Sequence, residues 1–515
     1  MAVKPAEPQA VVIFGASGDL TRRKLLPAFY HLFAEGLLPQ GFAVVGYART
    51  EMTNEAFHDR ARQAVEEFSR CEVTDEEWED FRRRLSYVPG EFDSERAMEH
   101  LREHLESIDK TQGTNGGRFY YCATPPDAYP QIVARLGESN MHRDARIVVE
   151  KPFGHDLESA RALNRSLHQV FDESQIFRID HYLGKETVQN ILVFRFGNGM
   201  FEPIWNRRYL DNVQITVAEE IGVGGRGAFY EEVGAIRDMV QTHLFQVLTF
   251  LAMEPPISFE PDRIRDEKVK VLRSMRPVRP NRVVRGQYRG YRDEPDVARN
   301  SKTETFAAMA VEIDSWRWAG VPFILRTGKM LKRKVSEVTL SFRDVPYNVF
   351  GGTDISEVPR DHLTLRIQPD EGITLALNIK KPGVGLEVDR ASMEFDYDAA
   401  FDTPLLEAYE FLILEAMEGD HSLFTREDEV ERAWEVLGPV LANPPRVVEY
   451  DAGTWGPVEA DELILPHHWQ VAGAVRASPA QAARPSKGAA RGRSPGQSRA
   501  TGSSGRRPHS SQDAS

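Results

Sequence analysis

Apolar positions change their period several times along the chain, and each change marks an element. Residues 10–14 are a short apolar run. Gly15-Ala16-Ser17-Gly18-Asp19-Leu20 follows, and then Leu25, Leu26, Phe29, Leu32, Phe33 and Leu37 recur at the spacing of one helix face. A second apolar run, 42–47, ends at Ala48-Arg49. Strand, glycine turn, helix and strand make the first βαβ unit of a doubly wound sheet. Residues 51–115 are highly charged and helical in pattern, with Phe57, Phe68, Trp78, Phe81 and Leu85 as the expected core contacts. A strand over 118–123 closes on Thr124-Pro125-Pro126, a stiff loop. Another strand, 147–149, runs into Glu150-Lys151-Pro152-Phe153-Gly154, where Pro152 fixes the turn and is a candidate cis residue. Asp156 is the expected cap of a helix over 157–171. A strand over 176–179 returns to the same edge and ends in Asp180.

The second half reads differently. Residues 210–219 alternate as a strand and deliver Glu219 and Glu220 to a glycine-rich turn, 222–227. A long helix over 229–253 is expected next, with Ile236, Met239, Val240, Val247 and Leu251 on its apolar stripe. His243 falls on that stripe, where a lone histidine also reads as a satisfied core residue. Asp238, five residues earlier, would lie about 140° around an α-helix from it. The two are therefore not expected to pair directly, although both could border one sugar-sized ligand. Residues 254–303 are rich in proline and arginine and are expected to wrap the surface, with one helix over 261–274. Strands follow at 306–311, 323–326, 335–342, 364–367, 373–379 and 391–395, several alternating as in an antiparallel sheet with one covered face. A helix over 408–418 and a helical stretch to about residue 441 complete the pattern.

The expected fold is thus α/β followed by α+β: a Rossmann-like dinucleotide domain over 8–178, then a larger domain with a mainly antiparallel sheet and helices over 179–470. From residue 471 the chain is rich in Gly, Ser, Ala and Pro without an aromatic residue, which predicts a disordered basic tail over 471–515.

Composition narrows the function. With 515 residues, 41% hydrophobic and 28% charged, this is an ordinary globular chain with room for more than one core. Residues 476–515 carry eight Arg or Lys and one Asp, so the body before them is more acidic than the whole-chain net charge of −14. An acidic body argues against nucleic acid as a specific partner. No apolar run is long enough to span a membrane. Two cysteines, Cys71 and Cys122, make no disulfide framework, and with no signal-like leader they fit a cytoplasmic protein. No His/Cys/Asp cluster stands at metal-ligand spacing.

Candidate chemistry sits at strand ends. Gly15 permits a tight turn, and Gly18 lets the backbone approach a pyrophosphate, although GxxG departs from GxGxxG. Where an NAD site usually places an acid for the ribose, this chain has Arg49, with Arg22, Arg23 and Lys24 on the first helix. Cations there suit a 2′-phosphate and hence NADP, with NAD as a secondary cofactor; a solvated basic patch is the plain alternative. Lys151 is placed to reach cofactor and substrate together. His181 and Tyr182 lie four and three residues before Lys185, so either can share its face beside a helix start, and an imidazole, a phenol and an ammonium are donors suited to a phosphate. The same residues also read as a polar surface turn.

Six stretches together resemble the glucose-6-phosphate dehydrogenase family: FGASGDLTRRKLLPAFYHL (14–32), VVGYAR (44–49), VVEKPFG (148–154), FRIDHYLGKETVQN (177–190), GGRGAFYEEVGAIRDMVQTHL (224–244) and LRTGKMLKRK (325–334). The resemblance covers about residues 8–470, and RIDHYLGK is its most specific part. It implies that His243 is the general base and Asp180 orients it. It implies that Lys151, His181, Tyr182 and Lys185 bind the sugar phosphate. Glu219 and Asp238 would hydrogen-bond sugar hydroxyls, and Lys329 and Lys334 would border the site. Gly15, Ser17, Gly18, Asp19, Lys24, Arg49 and Lys151 would lie along NADP. The implied reaction oxidises glucose 6-phosphate at C1 to the lactone, the first oxidative step of the pentose phosphate pathway, in a homodimer or homotetramer and without a metal. Two departures stand out. Thr242 replaces a frequent asparagine, and Lys334 stands where arginine is common and cannot make a bidentate phosphate contact. Another Rossmann-type sugar dehydrogenase and a catalytically silent NADP-binding regulator are the alternative readings.

Overall fold

The computed structural model describes residues 6–350, 358–401 and 406–471. The basic tail expected from residue 471 falls outside them except for Val471 itself. Six strands of the first half form a parallel sheet: β1 (Gln9–Phe14), β2 (Phe42–Ala48), β3 (Leu85–Pro89), β4 (Arg118–Cys122), β5 (Ala145–Val149) and β6 (Ile176–Ile179). Their order is β6-β5-β4-β1-β2-β3, so the sheet reverses direction of growth at β1/β4. Such a switch point opens a crevice at the carboxyl ends of the strands. Every residue of β1 and β2 is buried, as expected of a parallel sheet covered on both faces.

The second half builds a nine-stranded mixed sheet from β7 (Leu210–Ala218), β8 (Val283–Tyr288), β9 (Phe306–Val311), β10 (Phe323–Gly328), β11 (Val335–Phe342), β12 (His362–Gln368), β13 (Gly372–Lys380), β14 (Val388–Asp396) and, after the two-residue β15 (Phe424–Thr425), β16 (Val447–Tyr450). The order is β14-β13-β12-β11-β7-β10-β9-β8-β16, and only β7/β10 and β8/β16 run parallel. β15 instead adds antiparallel to β6, so the second half of the chain completes the first sheet. His421 stacks on Phe177 beside that junction, with ring centroids 3.9 Å apart.

Four expectations are corrected. Leu37 lies past the end of the first helix, which stops at Ala34, and is 39% exposed. Residues 51–115 are not helical throughout, because β3 crosses them. Its five residues Leu85-Ser-Tyr-Val-Pro are too few for their alternation to stand out among charged helices. Residues 254–303 do not only wrap the surface, since β8 within them joins the nine-stranded sheet.

The fourth correction concerns the histidine-bearing helix, which is broken. Gly234 has φ +67° and ψ 173°, and the helix ends at Ala235. Glu304, just before β9, restarts it: its backbone carbonyl accepts from Ala235 N (3.0 Å) and its Oε1 accepts from Ile236 N (3.1 Å). A Cβ on residue 234 would lie 2.7 Å from that same oxygen, so glycine is needed twice over. The restarted segment, Ile236–Leu244, is π-helical, and an α-helix resumes over Phe245–Ala252.

Candidate active site

The π-helical segment rearranges the face that an α-helix would present. Its backbone bonds run from i to i+5, so residues five apart lie about one turn on, nearly above each other. Asp238 and His243 are that pair. They do not bond directly, as expected, but both contact one ammonium. Lys151 Nζ donates to Asp238 Oδ1 at 2.7 Å and to His243 Nε2 at 2.8 Å. Lys151 lies two residues past the end of β5, and the Lys151–Pro152 bond is cis.

The other ring nitrogen of His243 donates to Asp180 Oδ1 in a short hydrogen bond. Asp180 follows β6, and its Oδ1 also accepts from Tyr182 N at 2.9 Å. Both side chains are buried. This fixes the tautomer: Nδ1 carries the proton and Nε2 presents a lone pair. Burial alone would raise the Asp180 carboxyl, but the His243 and His181 imidazoles and the Tyr182 amide outweigh it and hold it at about 2. Burial and the Lys151 charge push His243 below the usual histidine value, against the pull of Asp180. Burial likewise raises Asp238, and Lys151 brings it down to about 2. A neutral imidazole, backed by a carboxylate and faced by an ammonium, can take a proton from a hydroxyl group placed at Nε2.

The segment after Asp180 adds a second function to the same wall. The Tyr182 ring stacks on His243, centroids 4.4 Å apart, and its hydroxyl meets Ser336 Oγ at 3.3 Å. Lys185 Nζ lies 5.6 Å from the Tyr182 ring and donates to Gln368 Oε1 at 2.7 Å. His181 stands edge-on to His243, centroids 4.6 Å apart. Burial and the charges of His243 and Lys151 push His181 well below the usual histidine value. Burial, helped by Lys334, also lowers Lys185, with Glu371 opposing. His181, Tyr182 and Lys185 therefore come together, and Lys334 faces them from an exposed position. Lys329 is buried and pairs tightly with the half-buried Glu219 at the end of β7, within reach of Asp238. The potential ligand atoms of Asp180, His181 and His243 lie within 4.8 Å of one another, a convergence that sequence spacing did not reveal. One oxygen of Asp180 and one nitrogen of His243 are already bonded to each other.

At the other end of the crevice, Gly15 has φ +89°, and a Cβ there would stand 2.6 Å from the Ala123 carbonyl oxygen at the end of β4. Gly18 N closes the turn on Gly15 O at 2.9 Å. This bare backbone cradle at the switch point fits a dinucleotide pyrophosphate. The expected cluster of cations around Arg49 is not assembled, however. Arg22 pairs with Glu67, and Arg23 with Asp19 at 3.2 Å, both guanidinium groups lying over Phe68. Lys24 pairs with Glu407 at 2.8 Å, and both act on Lys185, which puts Lys24 toward the phosphate-binding wall. Arg49 itself is exposed.

Several contacts lay beyond sequence reasoning. Glu150, quoted only as part of a strand exit, accepts from the Tyr121 hydroxyl at 2.6 Å and has Tyr409 beside it. Burial pushes its carboxyl up to about 7, while Tyr121 and Lys151 hold it down. Ser336, Gln368 and Tyr409 come from strands and a helix 150 or more residues away, so no local pattern could join them to the site.

A glycine cradle at the first turn of a doubly wound sheet, with a carboxylate-backed imidazole at the exits of its last strands, defines the class: a nicotinamide-dinucleotide oxidoreductase acting on a hydroxyl group. The comparisons narrow it. The glucose-6-phosphate dehydrogenase NAD-binding domain matches residues 12–190, and the glucose-6-phosphate dehydrogenase C-terminal domain matches residues 192–470. Glucose-6-phosphate 1-dehydrogenase 2 of Mycobacterium tuberculosis is 46% identical over 89% of this chain and 93% of its own. A crystal structure of glucose-6-phosphate 1-dehydrogenase from Mycobacterium avium is 39% identical, covers 91% of this chain and 99% of its own, and superposes with a TM-score of 0.81. A structure of glucose-6-phosphate dehydrogenase in complex with its substrate glucose-6-phosphate is 36% identical, covers 92% of this chain and all of its own, and gives a TM-score of 0.84. The chain belongs to the glucose-6-phosphate dehydrogenase family.

Proposed function

We propose that this chain oxidises the C1 hydroxyl of glucose 6-phosphate to the lactone, with NADP as the hydride acceptor. The observation that carries the reading is the Asp180–His243–Lys151 line, which leaves a lone pair on Nε2 at the mouth of the dinucleotide crevice. The incoming C1 hydroxyl takes the place of Lys151 Nζ at Nε2, and His243 removes its proton. Asp180 holds the ring and stabilises the imidazolium that forms. Lys151, released toward the sugar, keeps a positive charge beside the reacting oxygen. Asp238, Glu219 and Lys329 orient the sugar hydroxyls. His181, Tyr182 and Lys185 grip the phosphate, with Lys334 at the rim. The cofactor supplies the hydride acceptor, and Gly15, Ser17, Gly18, Asp19, Lys24, Arg49 and Lys151 line its path.

The test is turnover with glucose 6-phosphate and with glucose, each with NADP+ and NAD+. We expect kcat/KM for glucose 6-phosphate to exceed that for glucose by about 100-fold or more, given several charge-assisted phosphate contacts. Equal efficiency would sink the phosphate clamp.

The proposal includes a homodimer formed on one face of β12–β14 and a cytoplasmic setting, where free Cys71 and Cys122 remain reduced. Ile373, Leu375 and Leu377 on β13 lie opposite Phe395, Met393 and Ala391 on β14, and Met393 is 66% exposed. Ile373 and Leu375 are partly covered by the core while Met393 and Phe395 stand exposed beside them, and exposed apolar side chains grouped on one sheet edge suit an association surface. Met393→Glu should shift sedimentation from dimer to monomer; an unchanged sedimentation coefficient would contradict that interface.

A further inference from the structure

The cations around the glycine turn differ in one respect that decides their use. On the first helix, Arg22, Arg23 and Lys24 are each held by a carboxylate. On the helix Asn54–Phe68, Arg62 pairs with Glu66 and with Asp75 at 2.6 Å. Arg49 and Arg60 have no carboxylate within salt-bridge distance among the described residues. They also converge. Arg49 directly follows β2, and its neighbour Thr50 donates through Oγ1 to Ser17 Oγ at 3.1 Å. Arg60 reaches across from the helix and donates from Nη2 to the Ser17 carbonyl at 2.6 Å. The Tyr87 hydroxyl, donating to the Ala48 and Thr50 carbonyls, pins the strand end between them.

We propose that Arg60 is a second ligand of the cofactor 2′-phosphate, acting with Arg49 and with the Ser17 and Thr50 hydroxyls to set the choice of NADP over NAD. This rests on the NADP reading given above. A guanidinium carries five N–H donors in a flat fork, and among the described residues one nitrogen of Arg60 is used by the protein. That bond is to a neutral carbonyl, which leaves the charge unanswered. The anchored nitrogen holds the guanidinium beside Ser17 in the glycine turn, and Thr50, the residue after Arg49, bonds the same serine. A phosphate dianion between two guanidinium groups gains charge-assisted bonds from both. An unphosphorylated ribose hydroxyl gains little from either.

The test compares wild type, Arg49→Ala, Arg60→Ala and Arg60→Lys. It measures KM for NADP+ and NAD+ with glucose 6-phosphate, and the Kd of NADPH and NADH from nicotinamide fluorescence. Arg60→Ala should weaken NADPH and raise KM for NADP+ by about tenfold or more, with a much smaller effect on NADH and NAD+. Arg60→Lys should recover part of the loss, because charge returns without the fork. If Arg60→Ala weakens NADPH and NADH equally, Arg60 only braces the turn and the proposal fails. It also fails if Arg49→Ala alone costs NADP+ binding and Arg60→Ala costs nothing. A wild type without preference for NADP+ overturns the NADP reading as well.

Discussion

The two ends of the crevice are built on opposite terms. At the hydroxyl end, Asp180, His243, Lys151 and Asp238 answer one another's charges at hydrogen-bond distance, and most of their surface is buried. At the adenosine end, Arg49 and Arg60 hold no carboxylate among the described residues, and Arg49 is open to water. The difference follows from what each end must do. A group that moves a proton needs a fixed tautomer and a shifted pKa, which come from burial and close partners. A group that holds a dianion needs its charge left free until the ligand arrives. The phosphate wall lies between these extremes: Lys185 is half-buried and bonded, but to the neutral Gln368.

The contrast gives a scale of expected effects. Asp180→Asn keeps the shape of the buried carboxylate and removes its charge. We expect kcat to fall by about 10²–10⁴, with KM for glucose 6-phosphate changed far less; an unaltered kcat would make the pair merely structural. Lys185→Met belongs to the phosphate wall and should act mainly on KM for glucose 6-phosphate, raising it about 10- to 100-fold. A loss confined to kcat would place Lys185 at the wrong end.

The pH profile carries the smallest effect and the finest distinction. His243 must be neutral to act, so activity is lost as pH falls through its pKa. Burial and Lys151 set that pKa below the unperturbed histidine value of about 6.5. The His243 limb of kcat/KM, which reports the free enzyme, should therefore have its midpoint below about 6.5. An acid limb above that value would mean that Asp180 outweighs burial.

The legibility of the molecule in its sequence follows the range of each contact. The glycine turn, the strand exits at Lys151 and Asp180, and the strands 306–311 and 335–342 are local patterns, and they stand in the structure where periodicity puts them. The relation of Asp238 to His243 was misread in its angle, because the sequence gives no sign that residues 236–244 wind as a π-helix. Glu304, 68 residues from the amide it caps, produces that winding's start. Arg60 was invisible for another reason. On a helix rich in Glu and Arg it looks like every other solvated charge, and only the pairing of its neighbours sets it apart.

The central claim is that His243 Nε2 takes the proton. The direct measurement is single-turnover reduction of NADP+ by His243→Asn with glucose 6-phosphate saturating, beside the Kd of glucose 6-phosphate for the same variant. We predict that the rate falls by about 10²–10⁴ while Kd stays within a few-fold of wild type. A wild-type rate with normal binding would show that another group is the base.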